Sequence, residues 1–227
     1  MSDIAPPLDI APPQIVIVAE GDTASAQANA RGHLFERFVA RLFEALGCTA
    51  PSASSLNVKQ NGYELDIAME IELTGEPAIA ECKAYSSPLP SHALNAFYGK
   101  LNTERFDFPE TRGWFVAIPS MTSDGHTLAR KLEKGDPRFR LLTATQIYKI
   151  VQERDWIRPI EASDGAVLSD HAMLLSEHGF SALAKEVDPM TRLPVRVLVR
   201  RVGKPVSAPE LALLAVSDYA TGLDIHD

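Results

Sequence analysis

The chain is short of several things. It holds only two cysteines, Cys48 and Cys82, in 227 residues. Two thiols build no disulfide framework and cannot complete a four-sulfur zinc site. No run of about 18 apolar residues occurs, so no membrane-spanning helix is expected. Met1 to Pro13 lacks the basic start and apolar centre of a secretory signal. These absences together lead us to expect a cytoplasmic protein with no membrane partner. Positive charge is scarce too: 22 lysines and arginines face 30 acids, for a net charge of −8. That excludes a protein that coats nucleic acid through bulk charge, but not an enzyme that meets it in one local groove.

What is present is ordinary in bulk. At 45% hydrophobic and 23% charged, the composition is that of a globular protein long enough for one large domain or two small ones. Residues 1–13 carry two Pro-Pro pairs and read as an extended tail. Gln14 to Glu20 is a short β-branched run, a peripheral strand or a segment packing on something else. Residues 1–20 therefore form an N-terminal tail and strand. Ala24 to Leu46 reads as a helix, with Phe35, Phe38, Val39, Leu42 and Leu46 at helical spacing and Gly47 as its cap. A hairpin spans 58–85, and Ser91 is placed to cap a second helix bearing Leu94, Phe97, Tyr98 and Leu101. Then follow a strand (Trp114 to Ile118), a helix (Ser123 to Lys134), a strand (Phe139 to Thr143) and a helix (Thr145 to Asp155). That order predicts an α/β domain over 21–157, a mixed sheet flanked by helices. Glu161 to Gly165 is turn chemistry. Residues 158–227 then read as an α+β extension or small second domain, with segments at 167–176, 180–187, 194–202 and 209–217.

The hairpin carries the chemistry. Its first arm holds Glu64-Leu65-Asp66, its turn is Thr74-Gly75-Glu76-Pro77, and its return arm holds Glu81-Cys82-Lys83. Asp66 and Glu81 stand at similar distances from the turn, so antiparallel pairing brings them close. The period of two places Lys83 on the face of Glu81. Two carboxylates supply hard oxygen ligands for a divalent metal. A lysine beside them stabilises charge developing on a phosphate. The plainer reading is a solvated hairpin face with a cross-strand ion pair. Cys82 points to the opposite face and reads as a small core residue.

With these residues in place the sequence resembles the PD-(D/E)xK nuclease superfamily, the restriction-endonuclease-like fold, and within it the Mrr-like branch. The matching pieces are Gly32-His33-Leu34-Phe35-Glu36, Glu64-Leu65-Asp66, Glu81-Cys82-Lys83 and the helix His92 to Leu101. The likeness covers roughly residues 27–150, as an order of elements rather than as identity. It departs from the pattern in having no proline before Asp66. The resemblance implies Asp66 and Glu81 as metal ligands, Lys83 as the catalytic lysine and Glu36 as an accessory acid. It implies Mg2+ as cofactor, with Mn2+ as substitute, and hydrolysis of DNA, with RNA as the alternative substrate. It further implies an effector of restriction or antiphage defence, with a sensor or ATPase as fused or docked partner and a homodimer as the form that cuts both strands. Because the helix after the motif often faces substrate in such nucleases, Lys100 and Tyr98 become candidate substrate contacts. The alternatives are a catalytically silent nuclease-fold module that binds nucleic acid or protein, and an interaction protein that docks through 157–227.

Two further features remain open. The six histidines show no metal-ligand spacing. Arg192, Arg196, Arg200, Arg201 and Lys204 fall within thirteen residues that contain no acid. They read as a phosphate-contact strip, a surface for an acidic partner, or an edge strand kept soluble by charge.

Overall fold

The structure, a computed structural model, describes residues 11–226 except 51, 53, 61 and 163–165. Most of the expected N-terminal tail and three positions of the 161–165 turn lie outside the described residues. The elements in chain order are β1 (Gln14–Ile17), α1 (Ala24–Ala45), β2 (Leu56–Gln60), β3 (Tyr63–Glu70), β4 (Pro77–Ala84) and α2 (Ser91–Asp107). Next come β5 (Arg112–Ile118), α3 (Ser123–Gly135), β6 (Phe139–Thr143) and α4 (Ala144–Glu153). The chain closes with β7 (Val167–Ser176), β8 (Gly179–Val187), β9 (Pro194–Arg200), α5 (Ala208–Ala215) and β10 (Asp224–His226). Contacts divide the chain into a unit of residues 21–147 and a unit in which the segment up to Glu20 joins the residues from Tyr148 onward.

The first unit is built on a mixed sheet of order β2-β3-β4-β5-β6. β2, β3 and β4 are antiparallel neighbours, and β4, β5 and β6 run parallel. The parallel steps need crossovers, and α2 and α3 supply them. Helix α1 starts where the Thr23 hydroxyl accepts the Ala26 N–H at 3.1 Å. It buries Leu34, Phe35, Phe38, Val39, Leu42 and Phe43, and Phe43 packs on Trp114 at 4.9 Å between centroids. Phe97, Leu94 and Leu101 of α2 pack with Phe115, Phe139 and Ile79 of the sheet. Gly113 permits this approach, because a Cβ there would run into the Leu101 side chain. Ser91 does not cap α2: Pro90 holds the cap position and no side chain bonds the free N–H groups.

The second unit has a mixed sheet of order β1-β7-β8-β9-β10. The hairpins β7-β8 and β8-β9 form its middle, and β1 and β10 add parallel edges. Val18, Leu174, Leu183, Val197, Val199, Leu214 and Tyr219 form its core. The β-branched run at Gln14 is thus an edge strand of this sheet. The arginine-bearing strand β9, in contrast, is no edge: the three-residue β10 covers its outer side. Arg196 pairs with Glu186 at 2.7 Å, and the buried Arg201 is bound to the buried Glu210.

Candidate active site

Three strands and two helices of the first unit converge on the predicted residues. Pairing of β3 with β4 runs from Glu70↔Pro77 to Ile67↔Ala80. At the next step the Asp66 carboxylate takes the Cys82 N–H, Oδ2 accepting at 2.7 Å. A side chain has replaced a backbone acceptor, and this fixes Asp66 against β4. β4 stays in register with β5 through Glu81↔Phe115 and Lys83↔Ala117. Glu81 and Lys83 therefore stand side by side on the face that α2 covers.

The Lys83 ammonium lies 2.8 Å from Glu81 Oε1 and 3.7 Å from Asp66 Oδ2. It thereby joins the two acids that the hairpin was expected to bring together. Lys100, from the middle of α2, donates to Glu81 Oε2 at 2.7 Å and to the Glu64 carbonyl at 2.9 Å. Both oxygens of Glu81 are thus held by ammonium groups. Glu36 of α1 accepts from Asn57 Nδ2 at 3.1 Å and bonds His33 Nδ1 at 3.2 Å. Its charge is close enough to act on Asp66. Tyr98 goes elsewhere: its hydroxyl donates to Asp136 at 3.1 Å, and its ring sits edge-on to Phe139.

The electrostatics are those of crowded acids. Burial, then the charge of Glu81, raises the Asp66 carboxyl above its usual range. Lys83 and the Cys82 N–H only partly offset this, and Glu36 adds to it. Burial pulls the Lys83 ammonium down, but its hydrogen bond to Glu81 and the charges of Asp66 and Glu81 more than compensate, so it is held above its ordinary value. Lys83 is therefore held as a cation at neutral pH. Cys82 is buried, and burial pushes its thiol well up. It packs as a small, protonated core residue.

Asn57 was not foreseen. It lies between the pairs Leu56↔Ile67 and Val58↔Leu65, opposite Asp66. Its φ of 52° is in the left-handed region, which asparagine tolerates better than its neighbours Leu56 and Val58 would. The one signal was an asparagine inside an otherwise strand-forming run.

Among the described residues no three His, Cys, Asp or Glu side chains already form a metal-binding group. The donor set still suits a hard cation of the magnesium type. Such ions are commonly held by one or two carboxylates, with waters and substrate phosphates completing the shell. Asp66 and Glu81 are two such carboxylates sharing one ammonium.

The restriction endonuclease family model, that of the Mrr catalytic domain, matches residues 27–151. That is more than half of the chain, and the protein belongs to this family of restriction-endonuclease-type nucleases. One solved crystal structure, of a protein of unknown function, is similar at 20% identity and a TM-score of 0.40. The likeness covers 54% of this chain and 66% of that one. It carries no functional argument. No curated protein matches the sequence. Among the described residues no helix is long and apolar enough to cross a membrane.

Proposed function

We propose that this nuclease cuts DNA by metal-dependent phosphodiester hydrolysis, with Mg2+ as its ion and Mn2+ as substitute. The observation that carries the reading is the single ammonium of Lys83 shared by Asp66 and Glu81, at 3.7 and 2.8 Å. Asp66 and Glu81 would hold the ion, with Glu36 as the accessory acid. When bound, the ion supplies neutralisation of phosphate charge and an acidified water. Lys83, kept charged by its two acids, donates to the scissile phosphate or orients the attacking water. Asn57 holds Glu36, and Lys100 anchors Glu81 until a phosphate competes for its ammonium. We place the activity in the cytoplasm, as an effector of restriction or antiphage defence that works with a sensor or ATPase and as a homodimer on duplex substrates.

The test is cleavage of supercoiled plasmid, single-stranded DNA and RNA with Mg2+ or Mn2+, against chelator and against the Lys83→Ala and Asp66→Ala variants. Cutting that needs metal and both residues supports the reading. A second reading, a silent nuclease-fold module, is favoured by the hold of Lys100 on the remaining oxygen of Glu81. Calorimetry with Mn2+ separates the two, because a silent module shows no metal binding that Asp66→Ala abolishes.

A further inference from the structure

Period-two alternation puts one more side chain on the catalytic face of β4. After Glu81 and Lys83 comes Tyr85. The strand geometry persists that far, since the Tyr85 N–H bonds the Ile118 carbonyl at 3.0 Å, one step beyond the pair Ala84↔Ile118. Tyr85 is thus one pleat repeat from Lys83, about 7 Å along the strand. It is 64% exposed, and among the described residues its ring and hydroxyl have no stacking or hydrogen-bond partner.

The other four tyrosines behave differently. Tyr63 bonds Glu104, Tyr98 bonds Asp136, Tyr219 bonds Asp170 and Tyr148 is buried. Packing accounts for those four and not for Tyr85. A flat, wet ring beside a phosphate-handling ammonium is a surface on which a base can stack. Lys100 approaches the same acids from α2, where its neighbours Ala96 and Gly99 are small and exposed. A strand lying across this face would meet two ammonium groups and one aromatic ring.

We propose that Tyr85 forms a nucleobase subsite, stacking the base next to the scissile phosphate. A base can lie on that ring only after leaving its own stack, which costs a few kcal/mol in an intact duplex and little in an unpaired segment. The subsite therefore selects phosphodiesters flanked by an unpaired base, in single strands, frayed ends or mismatches. This rests on the nuclease reading and deepens it.

The test uses the full chain in chelator, so that binding is read without turnover. The probes are a single-stranded DNA oligonucleotide containing 2-aminopurine and its fully paired duplex. Wild type should quench the 2-aminopurine fluorescence on binding the single strand. Tyr85→Ala should abolish that quench and bind the single strand about 5- to 150-fold more weakly, with duplex binding changed by less than about twofold. Tyr85→Phe should restore both signals, because the ring rather than the hydroxyl stacks. In cleavage of the single strand, Tyr85→Ala should raise KM more than it lowers kcat. If wild type cuts DNA while Tyr85→Ala binds the single strand as tightly as wild type does, the subsite is wrong and the nuclease stands. Equal weakening on single strand and duplex also overturns the selectivity. A wild type that neither binds nor cuts any nucleic acid removes the nuclease reading itself, and the subsite with it.

Discussion

Each sheet carries a buried acid network, and the two are built on opposite terms. In the second unit Glu210 accepts from Arg201 at 3.0 Å and from the Ser207 N–H and hydroxyl at 3.1 and 2.7 Å, and also from the Ser176 hydroxyl. Burial opposes its charge, but these donors hold the carboxyl far below the ordinary range. In the first unit Asp66, Glu81 and Glu36 crowd together, and burial with the charge of Glu81 raises Asp66. Burial is common to both, so burial alone does not mark a site. What distinguishes them is whether the donors satisfy the charge or leave it under tension. The Glu210 network stabilises a fold. The Asp66 network leaves its charge unsatisfied, and on the proposed reading a cation and a phosphate relieve it.

The largest effect should come from breaking the satisfied network. Arg201→Ala leaves the buried charge of Glu210 without its cation, with only the serine donors remaining, which costs about 3–5 kcal/mol. Chemical denaturation in a Trp114→Phe background reads this, because Trp156 stacks on Phe180 within that unit at 5.4 Å. A loss under about 1 kcal/mol would mean that Glu210 is no better satisfied than Asp66. In the first unit the matching change, Lys83→Ala, should instead show in rate. Removing one charge-stabilising donor lowers turnover by about 100- to 1000-fold, measured as single-turnover cleavage of labelled DNA.

Asp66→Asn sharpens the contrast, since it should remove activity and raise stability together. The folded carboxyl titrates above its unfolded value, so the folded state holds its proton more tightly than the unfolded chain does. The stability this gives is complete below the ordinary aspartate pKa and is lost as pH rises through the raised value. At pH 8 in chelator the ionised Asp66 therefore burdens the fold. The amide, which can still accept the Cys82 N–H, should melt at a temperature equal to or above wild type. That advantage should shrink as pH falls below the ordinary aspartate range. A clear drop in melting temperature for Asp66→Asn at pH 8 would show that the carboxylate is satisfied after all.

The juxtaposition of Asp66, Glu81 and Lys83 was more legible in the sequence than the arrangement around it. Asp66, Glu81 and Lys83 are local to one hairpin, where turn distance and alternation fix neighbours. Membership in the restriction-endonuclease family followed from the same residues with Glu36. Long-range parallel pairing leaves no such trace. Nothing near Gln14 indicates that it will lie beside Ala172, as Gln14↔Ala172 does. The edge reading of β9 failed for a related reason, because its cover is three residues at Asp224–His226, too short for a periodic signal. Asn57 escaped because its role depends on a backbone excursion opposite Asp66 and on a helix twenty-one residues earlier.

Lys100 and Tyr98 provide the finest test, since both lie on α2 and both were read as substrate contacts. The structure separates them: Lys100 reaches Glu81, whereas the Tyr98 hydroxyl is spent on Asp136. Asp136 keeps Arg105 at 2.5 and 3.3 Å and the Arg138 N–H at 3.0 Å without it. Tyr98→Phe should therefore cost only about 0.5–1.5 kcal/mol of stability, the net worth of one hydrogen bond. Its cleavage rate should stay within about twofold of wild type, well inside a single bond's energy, while Lys100→Ala slows cleavage by a clear margin. Thermal melts and single-turnover rates on the pair decide the matter. If Tyr98→Phe slowed cleavage as much as Lys100→Ala, α2 would present both side chains to the substrate. The bond to Asp136 would then have to open when DNA binds, and the line between structural and catalytic groups would run through that helix differently.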